Sequence, residues 1–448
     1  LVLASGLALR GQQIDPAQTL PDASLPQLAE MLETALAQSP QMLARQIELT
    51  KAEAAGISSR AQLYPSVNGG GRYAFESVST SNSANSSGQG FFYNLGASYP
   101  LYRWGEVKAD VEIGDLGLKI SQRQYAEAYR DLAGALRAQF LRLVLFKKSL
   151  SLRERGFVLA ESTYATETQR VKNGELPPTA QFPLQVAFEE AQIALERERF
   201  DYAAAKRAFI RLAGLKDLSE SLIPDDMPKP VLSQDQAARL IAYFDQTDGV
   251  RDLPTAQNYR DQVRQSELRS RIAAVRLRPK FDLSASTSLE NQTYLSSQSV
   301  SQSATYRHVI GVVANWSIFD GYSTRAAKLE AMAGKRQAEQ QLQNFLAGLD
   351  EQKRSAVVQF NFSVRALDLA ERKYSSAQGY IGYIELEFKA GRSPQTAVDQ
   401  AKTLLLNSHT AAMAARAEVF GRWSDLLSMI WMDPALKKVP AQYLSHGK

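Results

Sequence analysis

Val171-Lys172-Asn173-Gly174-Glu175-Leu176-Pro177-Pro178-Thr179-Ala180 returns, 217 residues later, as Phe388-Lys389-Ala390-Gly391-Arg392-Ser393-Pro394-Gln395-Thr396-Ala397. Lys, Gly, Pro, Thr and Ala coincide. Glycine closes one helix and proline opens the next, so each copy predicts the tip of a helical hairpin. Upstream, Pro40, Leu63 and Pro65 find Pro254, Leu277 and Pro279 at a shift of 214. A tandem repeat of this length is a whole assembly used twice, not a short solenoid unit.

Outward from the first tip, no proline interrupts residues 105–171, and apolar residues recur at three- and four-residue steps: Ile113, Leu116 and Ile120, then Leu132, Leu136, Phe140 and Leu143. This pattern predicts one helix over 105–172, about 100 Å long at 1.5 Å per residue. Its copy covers 322–389, through Leu329, Met332, Leu342, Phe345 and Leu349. Return helices are expected over 179–213 and 395–431. Each copy opens with a helix pair; in the first, Ser24 is expected to cap the helix begun by Leu25-Pro26-Gln27, and Tyr64-Pro65 ends the second. The organisation is then a tail at 1–23, a first repeat at 24–232, a second at 233–432 and a tail at 433–448. The apolar start, Leu1 to Leu9, reads as the remnant of a secretion signal or a mature start close to one.

Between the opening helices and each long helix lie two strands, expected at 66–77 and 90–102 and at 280–290 and 306–319. Phe91, Tyr93, Leu95, Ala97, Tyr99 and Leu101 alternate with Asn94, Gly96 and Ser98. Ile310, Val312, Ala314, Trp316 and Ile318 alternate with Arg307, Gly311, Asn315 and Ser317; Phe281, Leu283, Ala285 and Leu289 with Lys280, Asp282, Ser284 and Glu290. The strand around 67–76 is glycine-rich, and Asn68-Gly69-Gly70-Gly71 is expected to give flexibility at a bend. Each strand has the roughly 9–11 residues that cross a bilayer at a tilt. Polar segments, Ser77 to Gly90 and Asn291 to Ala304, join them, and Tyr99, Tyr102, Trp104, Trp316 and Phe319 mark an interfacial aromatic belt at the other end. Four strands cannot close a membrane barrel and open edges cannot sit in lipid, so several chains must contribute. Three chains give twelve strands, the smallest number here that leaves a lumen.

Taken together, Leu63-Tyr64-Pro65 and Leu277-Arg278-Pro279 before the strands, Pro100-Leu101-Tyr102 and Ile318-Phe319-Asp320-Gly321 after them, the Gly174 and Gly391 turns, and Leu212-Ala213-Gly214-Leu215 resemble the TolC family of outer-membrane efflux and secretion channels. The resemblance runs from about Ser24 to Met432. It implies a mainly α fold with a small β membrane portion: a homotrimer whose 12-stranded β-barrel, four strands per chain, continues into a long α-helical barrel. It implies the outer membrane of a Gram-negative bacterium, extending into the periplasm, with outer-membrane lipid, a periplasmic adaptor protein and, indirectly, an inner-membrane transporter as partners. The chain would be the exit duct of a tripartite efflux pump or type I secretion system. Carried onto this sequence, the adaptor-contacting tips are Gly174, Leu176, Pro177 and Thr179, and Gly391, Arg392, Ser393 and Pro394. The family's acidic constriction positions fall on Ala397 and Gln400, with Asp399 between them, so Asp399 and Gln400 are the candidate periplasmic constriction.

Other chemistry is not readable in the chain. The 448 residues contain no cysteine, which removes thiolate metal sites, Cys nucleophiles and disulfides. His308, His409 and His446 lie far apart, no P-loop is present, and no convergent polar site is found, so no enzyme, cofactor or metal centre is expected. His308 is expected near the outer rim of a strand. The net charge of +5 is dispersed, which argues against a nucleic-acid partner. A soluble periplasmic coiled-coil adaptor or scaffold is the alternative reading.

Overall fold

The computed structural model describes residues 19–78, 86–295 and 300–444. Its elements in chain order are α1 (Pro21–Ser24), α2 (Pro26–Gln38), α3 (Pro40–Ala61), β1 (Ser66–Val78), β2 (Ser86–Tyr102), α4 (Glu106–Lys172), α5 (Gln181–Ala213), α6 (Asp235–Gln246), α7 (Gly249–Asp252), α8 (Pro254–Val275), β3 (Lys280–Leu295), β4 (Val300–Asn315), α9 (Ser323–Lys389), α10 (Gln395–Met429) and α11 (Ala441–Leu444). The expectation of a mainly helical chain with one small sheet is met. The apolar start, the middles of both polar strand linkers, His446 and the end of the C-terminal tail lie outside the described residues.

The duplication is visible element by element. Helices α4 and α9 are each 67 residues long and start 217 residues apart. Helices α3 and α8 are each 22 residues long, 214 apart. Two consecutive left-handed residues precede each long helix, Trp104-Gly105 before α4 (φ 56° and 84°) and Gly321-Tyr322 before α9 (φ 63° and 68°). Glycine occupies the second position of the first pair and the first position of the second, so a non-glycine residue is forced into the left-handed region once in each copy.

Contacts divide the chain into two compact units that each draw on both halves: Glu48–Ser121 with Asn258–Asn344, and Leu1–Ile47 with Gln122–Gln257 and Phe345–Lys448. In the second of these, Leu132, Leu136, Phe140 and Leu143 of α4 are fully buried against Leu28, Leu32 and Leu36 of α2 and Phe209 of α5. A second cluster joins Leu240 and Phe244 of α6, Leu349, Phe360 and Leu367 of α9, and Trp423, Leu426 and Leu427 of α10. Arg137 lies at 1% exposure, and its guanidinium donates to Asp22 at 3.0 Å and to Asp433 at 2.5 Å. The segments around Asp22, before α2, and Asp433, after α10, are therefore both pinned to α4.

The α2 helix starts differently from the expectation. Ser24 ends α1 and donates its hydroxyl to the Pro21 carbonyl, while Leu25 is the N-cap, with no side-chain hydrogen bond. Pro26 at the first helical position needs no amide partner, which relieves the need for a polar cap. Leu329 and Met332, counted in sequence in one apolar pattern with Leu349, are exposed at 62% and 49%, whereas Leu349 is buried; that part of the pattern is bare within the chain.

Helix α5 ends at Gly214 (φ 69°), whose amide hydrogen-bonds to the Arg211 and Ile210 carbonyls. A Cβ there would sit 2.7 Å from the Gln38 carbonyl oxygen. Gly214→Ala is thus expected to lower stability by about 1–3 kcal/mol, read as a lower unfolding midpoint.

Candidate functional site

The four strands form one antiparallel meander in the order β1-β2-β3-β4. Directly paired residues share a face, so the register decides whether the separate alternations agree. They do: Val67, Ala97, Ala285 and Ile310 form one row, Gly71, Tyr93, Leu289 and Tyr306 another, and Tyr99, Leu283 and Val312 a third. The other face is mainly polar, with Ser66, Ser98, Ser284 and Gly311 in one row and Arg72, Phe92, Glu290 and Thr305 in another; Val309 and Val313 of β4 are apolar exceptions. The apolar face is bare within the chain; Ile310 is 78% exposed and Tyr306 65%.

The sheet departs from the sequence expectation in several details. The strands are longer, since Ser86 to Gln89, Asn291 to Leu295 and Val300 to Thr305 join the ladders; their backbones pair although their side chains carry no apolar alternation. The fourth strand stops at Asn315, not Phe319, because its partner begins at Lys280, opposite Asn315. In β2 the register shifts between Pro100 and Tyr102, so that Tyr102, not Leu101, continues the apolar face opposite Phe281. Glycines 69–71 pair without a register shift, and Leu95 and Phe91 lie over Gly69 and Gly71. His308 stands within β4, opposite Thr287, not at its rim.

At one end of the sheet the structure gathers the expected aromatics. The Trp104 ring meets Tyr102 edge-on at 4.9 Å, and its indole N–H donates to the Pro279 carbonyl at 2.7 Å. The Trp316 N–H donates to the Leu277 carbonyl at 3.0 Å. Phe319 packs edge-on against Tyr322 at 5.5 Å, and the Arg278 guanidinium lies over Trp104. Tyr322 was missed in sequence; its offset of 217 from Gly105 was the available signal. The Asp320 carboxylate accepts from both the Thr324 hydroxyl and amide, and the hydroxyl bond foremost holds its pKa below the usual carboxylate range.

The hairpin turns are built alike. Gly174 (φ 77°) and Gly391 (φ 72°) are left-handed. Their amides donate to Val171 and Phe388, and the next amides to Arg170 and Glu387. An ion pair closes each turn with its charges exchanged: Arg170 with Glu175 at 3.3 Å in the first, Glu387 with Arg392 at 2.8 Å in the second. Gly174, Pro177, Thr179, Gly391, Arg392 and Pro394 are exposed, Leu176 and Ser393 half-buried. Behind the first turn Tyr164 stacks on Phe188 and its hydroxyl accepts from Gln181; behind the second Ile384 packs on Val398 and Ala401. Arg392→Ala is expected to leave the unfolding midpoint near the wild-type value, because the pair is solvated.

Asp399 and Gln400 follow Val398 in the first turns of α10. The Asp399 carboxylate accepts from Gln395 at 3.1 Å, and a carboxylate so near a helix N-terminus is favoured by the helix dipole. His409 stacks on Tyr374 and faces Asp226 at 3.4 Å; burial pushes its pKa down. Among the described residues, no group of three or more metal-ligating side chains is assembled, and no helix is long and apolar enough to cross a membrane.

The resemblance seen in the sequence is borne out by comparison with known proteins. The family model for outer membrane efflux proteins matches residues 31–215. No curated protein sequence matches. Among solved structures, the CmeC outer membrane channel of Campylobacter jejuni is 14% identical, with a TM-score of 0.73, over 98% of this chain and 94% of that one. The outer membrane protein VceC of Vibrio cholerae is 15% identical, with a TM-score of 0.68, over 90% and 96%. The MtrE outer membrane channel of Neisseria gonorrhoeae, in its open state, is 16% identical, with a TM-score of 0.69, over 91% and 89%. At these identities what is shared with the solved structures is the fold.

Proposed function

We propose that this chain is one third of an outer-membrane exit duct, the passive conduit of a tripartite efflux pump or type I secretion system. The observation that carries the reading is the sheet, with one face mainly apolar from the Tyr306 row to the Tyr99 row, interrupted by Thr287 and His308, the other face mainly polar, and β1 and β4 unpaired at their outer edges. In lipid such edges are untenable, because each unpaired backbone group costs several kcal/mol. Three copies pairing β1 of one with β4 of the next make a closed 12-stranded barrel, apolar outside and polar within. The fold shared with CmeC and MtrE, both outer membrane channels, supports this assembly.

The inner aromatic belt, Tyr99, Tyr102, Trp104, Trp316 and Phe319, then anchors the periplasmic interface. The two turns form the periplasmic tips, where Gly174, Leu176, Pro177 and Thr179, and Gly391, Arg392, Ser393 and Pro394, meet the adaptor. Asp399 and Gln400 line the mouth that the adaptor opens. Energy comes from the inner-membrane partner.

The absence of native cysteine makes the closure directly testable. Cysteine pairs placed one on β1 and one on β4, joined by a bis-maleimide in native membranes, are expected to yield species that stop at three linked copies. Uncrosslinked chains, or a ladder running past three, would contradict the closed trimer.

A further inference from the structure

Each edge strand carries an arginine beside a tyrosine: Arg72-Tyr73 on β1 and Tyr306-Arg307 on β4. Tyr73 and Tyr306 lie on the apolar face, Arg72 and Arg307 on the polar one. Tyr73 is 69% exposed and Tyr306 65% within the chain. They stand on the hairpin side of the apolar band, five and six residues short of their strand ends, across the band from Tyr99 and Tyr102, where the outer aromatic girdle of a membrane barrel lies. Joining β1 to β4 of a neighbour in an odd register would turn one arginine toward lipid, so only even registers are allowed. If both tyrosines sit at the outer interface, the arginines next to them come to one height inside the barrel, on either side of the seam.

The remaining charges near the inner end of this sheet are matched. Asp282 pairs with Arg103 at 2.9 Å and Lys280 with Glu106 at 2.6 Å. Among the described residues neither Arg72 nor Arg307 has an ion-pair partner; the Arg72 guanidinium rests 4.5 Å over the Phe92 ring. Glu290 stands in the same row as Arg72, two strands away.

We infer that at each of the three seams Arg72 of one copy and Arg307 of the next form an oxyanion site on the lumenal wall, engaged by the phosphate or carboxylate groups of departing cargo. Two guanidinium groups held together repel each other, and a multivalent oxyanion between them relieves that repulsion while matching their planar donor forks. This inference rests on the proposed closure into a barrel, and it gives the duct a preference for anionic cargo.

The test is block of single channels in planar bilayers at low salt, with sodium pyrophosphate added on the side facing the β-hairpin linkers. Wild-type channels are expected to be blocked from that side. The double variant Arg72→Gln with Arg307→Gln is expected to raise the half-blocking concentration about tenfold or more, the loss of roughly one charge-assisted contact. Arg72→Lys with Arg307→Lys keeps much of the block, and Glu290→Gln strengthens it. Variants that conduct normally with unchanged block would overturn the arginine site and leave the duct standing. Wild-type protein that never conducts would overturn the duct, and the site with it.

Discussion

Replacing Ile310 with arginine is expected to keep this chain out of a bilayer. Ile310 lies mid-face in the row Val67, Ala97, Ala285, Ile310 and touches little within its own chain. An arginine at the midplane of a membrane barrel's lipid face costs about 2–4 kcal/mol, and a trimer carries it three times. The fraction of protein recovered in proteoliposomes, compared with wild type, reads the effect. Ser286→Arg, at the same level on the polar face, serves as the control and is expected to insert. If the face only borders water, Ile310→Arg will be as harmless as Ser286→Arg, since an exposed isoleucine contributes little to a chain's own stability.

Arg137→Met is expected to destabilise the helical body by about 3–5 kcal/mol, the usual cost of removing one partner of a buried ion pair. Asp433 is then left as a carboxylate with no exposed side-chain surface and its guanidinium partner gone. The measurement is the denaturant midpoint of the purified protein. Adding Asp433→Asn to Arg137→Met should recover part of the loss, because it removes the stranded charge. No change in the single variant would mean that the segments around Asp22 and Asp433 are not held by this cluster.

The helices were legible because their signals are long and local. Sixty-odd residues without proline leave few alternatives, and Gly174, Gly391 and their following prolines mark where each rod turns. The strands were legible in kind but not in extent. Alternation reveals Tyr93 or Val312, yet Ser86, Gln89 and Thr293 pair through their backbones and leave no trace in hydropathy. The shift at Pro100 was hidden for a related reason: a bulge changes which neighbour continues the apolar face without changing composition. Leu329 and Met332 show the reverse failure, since periodicity says that a stripe is apolar and not what covers it.

At the candidate tips, glycine and proline spacing found the turns, while the exchanged ion pairs needed the structure. Arg170 and Glu387 sit five residues before Glu175 and Arg392, a separation that does not align two side chains on a straight helix and does so here because the chain reverses between them. The division into contact units was not legible at all. It cuts across the two halves because β2 pairs with β3 in one unit and α10 packs on α4 and α5 in the other, both contacts made between the copies.

The most direct test of the conduit is the detergent-solubilised mass of the purified protein together with its single-channel conductance. The control is a variant with residues 67–101 and 280–319 each replaced by a short Gly/Ser linker. A trimer-sized species that inserts and conducts, with the strand-deleted variant silent, is the predicted result. A monomer that stays in solution without detergent and never conducts would contradict it.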